Sequence, residues 1–226
     1  LKKALDIFSR KNEPSRNSIA TCLRSLLSIT CSNPKEWDEN EIYAEKLLAI
    51  DDSMETKAIL YANLGAKYYN QNDLEQALEY SLLASTIFGK KGGVSGNFMD
   101  LKKYGLHVAR MLSNLGAIFY RLGDFKNANE SLTFSVHFYR SLTGPNHLYL
   151  ADSYYNLGLT HFELDDLPSA EDYYRRALEI YYQQLEPSHE KIALVSQNLA
   201  AVLEEMGQFN EATKLNIQYG KCRRQE

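Results

Sequence analysis

The chain has 226 residues, is 44% hydrophobic and 24% charged, and carries a formal net charge of −4. That composition excludes a disordered chain, a collagen-like chain and a disulfide-stapled miniprotein, and 25 Lys+Arg against 29 Asp+Glu argue against a general nucleic-acid binder. No uncharged apolar run approaches the ~18 residues of a membrane span, so no membrane insertion is expected.

The opening Leu1-Lys2-Lys3-Ala4-Leu5 has no signal-peptide run behind it and no Met, which reads as an excised or processed piece. Three scattered cysteines, Cys22, Cys31 and Cys222, read as reduced thiols. Cys22 and Cys31 are expected on one helix, too far apart along it for a bridge. A cytoplasmic location is expected on these grounds.

In chain order, Leu1–Phe8 matches Tyr174–Tyr181 in pattern and reads as the closing helix of an incomplete unit. Ile19 to Ile29 and Tyr43 to Ile50 form a degenerate helix pair, broken at Asn33-Pro34, with Trp37 opening the second helix. From there a phrase recurs: Asn63-Leu64-Gly65, Asn114-Leu115-Gly116, Asn156-Leu157-Gly158 and Asn198-Leu199-Ala200. The last three are spaced by 42 residues and the first interval is 51. Twelve residues after each small residue stands an alanine: Ala77, Ala128, Ala170 and Ala212. A period in this range signals a solenoid of stacked units.

The unit itself is a helix pair. Apolar residues from Leu150 to Leu164 run at helical spacing; Asp165-Asp166 stops that helix, and Pro168 sits in the first turn of the next, where its missing N–H is harmless. Ala170, Tyr173, Tyr174, Ala177 and Ile180 form the second stripe. Gly158 and Ala170 mark where the two backbones come close. Between units stand Gly144-Pro145-Asn146-His147 and Glu186-Pro187-Ser188-His189, again 42 apart, whose prolines end one helix and start the next. The extra nine residues of the long interval fall at Gly89-Lys90-Lys91-Gly92-Gly93-Val94-Ser95-Gly96, which reads as a flexible loop. Phe209 to Cys222, richer in polar residues and in cations near its end, reads as a capping helix.

This pattern resembles the tetratricopeptide repeat. The 42-residue spacing, the Pro-x-His linker and Ala177-Leu178-Glu179-Ile180 are similar to the longer subclass found in kinesin light chains. The resemblance implies an all-α right-handed superhelix of stacked antiparallel helix pairs. On that template residues 1–226 form one domain: degenerate helices over 1–51, repeats over 52–88, 101–142, 146–185 and 187–219, a Gly-rich insertion over 89–100, and a cap ending near 222. Ten or eleven helices and no sheet are expected.

The motifs that could carry chemistry each lack a member. Gly96 is followed by Asn97 and Phe98, not by the Lys-Ser/Thr of a phosphate loop. His189-Glu190 opens like a zinc-protease helix, but Ala193 stands where the second histidine is required. His107, His137 and His161 have no second ligand one turn on. His147 and His189 recur in the linker and read as structural, capping a helix or packing between units. The pairs Asp51-Asp52 and Asp165-Asp166 read as solvated helix starts, and Glu204-Glu205 as a solvated face. Asn129-Glu130-Ser131 fits a glycosylation acceptor but lies on an expected helix. Tyr68, Phe119, Tyr173 and Tyr181 fall on packing stripes rather than on a base-stacking platform. No enzyme activity, metal or cofactor is expected.

The functional expectation rests on the first helix of each pair. The resemblance implies a concave wall built from these helices, in which a protein or peptide partner lies. Asn63, Asn114, Asn156 and Asn198 recur on that wall, and an amide both donates to and accepts from a peptide backbone. Ile59, Tyr69, Arg110, Tyr120, Arg121, Asp152, Tyr155, Phe162, Glu163, Gln197, Ala201, Glu204 and Glu205 stand nearby as specificity candidates, basic near 110–121 and acidic near 204–205. The family's clamp for a terminal carboxylate is matched by Arg110, Asn114 and Asn156, but Leu194 and Asn198 offer no cation on the third helix. The expected function is a protein-interaction scaffold or adaptor able to join a larger complex, with no nucleic acid bound. The alternatives are a regulatory module whose groove holds its own chain or a signalling peptide, and an accessory domain of an enzyme. Upstream heptads, a helix-turn-helix or a catalytic motif outside this chain would separate the three.

Overall fold

A computed structural model of the chain describes residues 16–30, 37–51, 53–92 and 98–220. Ten helices and no strand occur among them. In chain order these are α1 (Arg16–Thr30), α2 (Trp37–Ile50), α3 (Met54–Asn70), α4 (Leu74–Gly92), α5 (Phe98–Arg121), α6 (Phe125–Thr143), α7 (Leu148–Glu163), α8 (Leu167–Gln184), α9 (Glu190–Glu205) and α10 (Phe209–Gly220). Leu1–Phe8, Cys31, Asn33-Pro34 and Cys222 lie outside the described residues. Cys22 sits on α1 as a free thiol.

The single domain expected over 1–226 divides into two compact units, Leu1–Lys103 and Tyr104–Glu226. In the first, α1 and α2 close a core of Ala20, Leu23, Leu26, Tyr43, Ala44 and Leu47, to which α3 contributes Leu60. Ser53 caps α3 by accepting the N–H of Thr56 at 3.2 Å. Tyr68 and Tyr80 stack across α3 and α4 at 5.4 Å.

The loop expected over Gly89–Gly96 is partly helix: α4 continues to Gly92, and α5 opens at Phe98 within the expected 89–100 insertion. Extending an existing helix adds one hydrogen bond per residue fixed, and a glycine costs only about 1 kcal/mol against alanine. A few glycines therefore need not stop a helix already nucleated upstream.

The second unit holds three helix pairs, α5/α6, α7/α8 and α9/α10. Its core runs through all three and includes Leu132, Tyr139, Leu150, Leu157, Tyr174, Tyr181, Ile192, Leu199 and Leu203. The small residue after each Asn-Leu is where the pair touches. A Cβ on Gly158 would stand 2.5 Å from the Tyr174 ring, and one on Gly116 would stand 2.5 Å from Leu132. The nearest side chain is thus the residue four after the repeated alanine, and the alanine's own carbonyl is close as well, 3.2 Å away at Ala77 and 3.3 Å at Ala128. In the first unit Gly65 meets Ser81, the corresponding position.

Four pairs, from α3/α4 to α9/α10, each turn through one residue in the left-handed region: Asn72 (φ 67°), Gly123 (φ 77°), Asp165 (φ 60°) and Gly207 (φ 76°). These are the residue types that tolerate that region, and they recur at one place in the repeat. In three of the pairs the next residue is an aspartate that begins the second helix. Asp73 accepts from Gln76 N–H at 3.1 Å, Asp124 from Asn127 N–H at 3.2 Å and Asp166 from Ser169 N–H at 3.3 Å. The linker histidines form helix caps: His147 Nδ1 accepts from Tyr149 N–H and His189 Nδ1 from Lys191 N–H, both at 3.2 Å.

His161 ties three elements together. Its Nδ1 lies 2.9 Å from Asp166 Oδ2, its Nε2 lies 3.2 Å from Asn129 Oδ1 on α6, and its ring packs on Tyr173 at 5.1 Å. Hydrogen bonding with Ser169, and then with His161, holds the Asp166 carboxyl below its ordinary pKa. A carboxylate with a lowered folded pKa stabilises the protein above its unfolded value, about 3.9, and that contribution is lost as pH falls through the folded value. Asp166→Asn keeps a capping oxygen but cannot ionise. It should flatten the loss of stability below about pH 4, read as Tm against pH. A variant whose acid limb follows the parent's would contradict this.

Candidate functional site

In the second unit the first helices stand side by side, joined by bonds about one repeat apart. Tyr120 Oη on α5 donates to Glu163 Oε1 on α7 at 3.3 Å, and Asn198 Nδ2 on α9 donates to Tyr155 Oη on α7 at 3.2 Å. Deeper in, Ser153 Oγ on α7 reaches Ser113 Oγ on α5 at 3.3 Å and Ser135 Oγ on α6 at 3.1 Å. Ser135 in turn donates to the Ala109 carbonyl at 2.8 Å. This buried serine chain satisfies hydroxyls that would otherwise cost about 1–3 kcal/mol each.

Against that wall the expected site residues separate into groups. Asn114 and Asn156 are half-buried, and their side-chain amides have no intramolecular partner among the described residues. Thr160 bonds only the backbone carbonyl of Asn156. Asn198 is half-buried too, but its amide is engaged with Tyr155. Asn63 belongs to the first unit and is 1% exposed, so it is not on an open wall. The reason is local: its neighbours Leu60 and Leu64 pack with the α1/α2 core, which covers that stretch of α3. Ile59 is likewise buried, and Tyr69 is half-buried in the same unit.

Arg110 and Tyr120 are half-buried and Arg121 exposed, all on α5. Phe162, half-buried, packs on the core, and Gln197 is half-buried on α9. Ala201, Glu204 and Glu205 are exposed, with Glu204 Oε1 accepting from Asn216 Nδ2 at 3.3 Å. The last two lie at the C-terminal end of α9, where carboxylates oppose the helix dipole.

Asp152 is committed within the unit. Its Oδ1 accepts from Tyr181 Oη at 2.5 Å and from Lys191 Nζ at 2.6 Å. Burial first, and then Asp152, pushes the Tyr181 phenol up, so it stays a neutral donor. Sequence reasoning did not single out Lys191. Its one signal is its place in the first turn of α9, one repeat on from Tyr149 in α7.

No helix among the described residues is long and apolar enough to cross a membrane, and no group of three or more His, Cys, Asp or Glu there could hold a metal ion.

Residues 107–183 match the family model described as tetratricopeptide repeat. Two curated Arabidopsis thaliana relatives are similar over nearly the whole chain: kinesin light chain-related protein 2 at 21% identity and kinesin light chain-related protein 3 at 20%, each over 94% of this chain. Over residues 107–183 the chain carries tetratricopeptide repeats, and its repeats are similar to those of kinesin light chains. It spans 31% of the length of each of those relatives. Among solved structures, the tetratricopeptide repeats resemble BtubC (BKLC) from P. vanneervenii, with a TM-score of 0.78 at 20% identity, covering 98% of this chain and 87% of that one. They also resemble a kinesin light chain-like protein of Podosopora anserina with nearly identical TPR-like repeats. There the TM-score is 0.63 at 17% identity, covering 90% of this chain and 93% of that one. At these identities the likeness establishes the fold, which is one that serves protein–protein interaction in general.

Proposed function

We propose that the second unit is a protein-interaction adaptor that grips an extended partner segment along α5, α7 and α9. The observation that supports this reading is the pair of amides at Asn114 and Asn156. They are one repeat apart, on adjacent first helices, half-buried, and unspent within the fold among the described residues. An amide left with a free donor and acceptor beside a packed wall suits a peptide backbone, which offers both in turn. Asn198 spends one Nδ2 hydrogen on Tyr155 and keeps the other and its Oδ1, so its share is smaller. Arg110 and Arg121 on α5 and Glu204 and Glu205 on α9 set the direction of the segment, with an acidic or phosphorylated end toward α5. Charges of this kind steer encounter and register more than they add affinity.

Peptides selected from a random display library against the full chain test the reading. Each amide bond is worth about 0.5–1.5 kcal/mol net of water, so Asn114→Ala with Asn156→Ala should weaken selected peptides roughly five- to a hundredfold at every salt concentration. Arg121→Glu, at an exposed position, should weaken them chiefly at low salt, since exposed charges are screened within about 8–10 Å at physiological ionic strength, and adding Arg110→Glu at its half-buried position should deepen the loss. Peptides that bind both double variants as they bind the parent would place the interaction on another face.

A further inference from the structure

A cavity of about 420 Å³ opens at the linker edge of the second unit, lined by Asn146, His147, Leu148, Tyr149, Asp152, Gln184 and Lys191. Four elements build it: the α6–α7 linker, the first turn of α7, the last turn of α8 and the first turn of α9. Its size is within the range of small-molecule pockets. Of the residues on its wall, the sequence marked Asp152 as a site candidate and His147 as a structural residue of the linker.

The polar groups at the cavity are oriented by the fold. Both hydrogen bonds to Asp152 fall on Oδ1, so Oδ2 keeps its lone pairs with no intramolecular partner among the described residues. Lys191 gives one N–H to that Oδ1, stands 5.6 Å from the Tyr181 ring centroid, and has two further N–H donors. His147 spends Nδ1 on its cap bond, which leaves the neutral ring's proton on Nε2 as a donor. The His147 ring packs against both Tyr139, stacked at 6.2 Å, and Tyr149 at 5.2 Å. Tyr149 is 52% exposed and, with Leu148, supplies an apolar wall.

A carboxylate and an ammonium 2.6 Å apart, each with unused hydrogen-bonding capacity, are poorly matched to a ligand of one charge. An anion drawn to Lys191 would face Asp152, and a cation drawn to Asp152 would face Lys191. A ligand that carries both charges side by side satisfies both. We propose that the cavity binds the zwitterionic head of a free α-amino acid. The α-ammonium donates to Asp152 Oδ2, the α-carboxylate accepts from Lys191 Nζ and His147 Nε2, and an apolar side chain lies on Tyr149 and Leu148. The inference does not depend on the asparagine reading, because it uses the helix starts of α7 and α9 and none of the amides on the wall.

The test is a titration of the full chain with L-phenylalanine at neutral pH, followed by backbone amide shifts. L-phenylalaninamide, which lacks the carboxylate, and 3-phenylpropanoate, which lacks the ammonium, serve as paired probes. The expected result is a saturable shift confined to residues 146–152 and the start of α9, with each paired probe at least about tenfold weaker. Lys191→Met keeps the apolar stem of a half-exposed side chain and should lose L-phenylalanine binding by at least about tenfold while the rest of the spectrum is preserved. Asp152→Asn, which retains an acceptor for Tyr181, should do the same. No saturation up to about 10 mM, equal binding of the three probes, or parent-like binding by Lys191→Met would overturn the proposal.

Discussion

Replacing Gly158 by leucine should lower the melting temperature of the second unit by roughly 6–12 °C, equivalent to about 3 kcal/mol in a chain of this size. Even a methyl group at this position would stand 2.5 Å from two carbons of the Tyr174 ring. The ring cannot yield easily, because Tyr174 is 1% exposed and sits inside the core shared by α6 to α10. Relief must come from moving α7 away from α8, and that opens contacts along the whole pair. Thermal unfolding of the variant, followed by helical circular dichroism, measures this. A melting curve within a degree of the parent would show that the pair is not held at its glycine.

Tyr174→Ala should cost more, about 3–5 kcal/mol, since it empties the space of one of the largest fully buried side chains. Burial pushes the Tyr174 phenol up, so the loss is that of a neutral aromatic packed in the core rather than of a charge. The two changes should also fail to add. With the ring gone, the leucine at 158 has a cavity to enter, so Gly158→Leu in the Tyr174→Ala background should cost at least ~1 kcal/mol less than in the parent. Chemical denaturation of the four proteins gives the coupling directly. Strict additivity would mean that the glycine feels some other neighbour.

These two residues also show how far the sequence could be read. The recurrence of a small residue after Asn-Leu, 42 residues apart, announces a close approach without saying what approaches. Periodicity marks a face, and Ala170 is the obvious partner because it is small and at a constant offset. The nearest side chain is that of residue 174, because a helical side chain leans toward the N-terminus and covers the turn before its own α-carbon. The turn residues were similarly open to reading. Asn72, Gly123, Asp165 and Gly207 occupy one repeat position and share tolerance for positive φ. They look unrelated until that physical property, rather than residue identity, is compared.

Taken alone, the sequence determined the helix pairs, their order and the faces they bury, because these follow from local spacing, caps and breakers that act within a few residues. It also marked the linker histidines as structural, and the structure chose capping of α7 and α9 through their Nδ1 atoms. What the tertiary structure decided is which polar side chains remain available. Asn63, Asn114, Asn156 and Asn198 are equivalent in sequence, yet one is buried, one is held by Tyr155, and two keep their amides unspent among the described residues. Asp152 and Lys191 are 39 residues apart and share no local pattern, yet they meet at 2.6 Å on the edge of a cavity. Hydrogen-bond partners across a stack of repeats are set by the rotation and rise of one helix pair on the next. Those depend on every side chain packed between them, so no single segment of the chain encodes them.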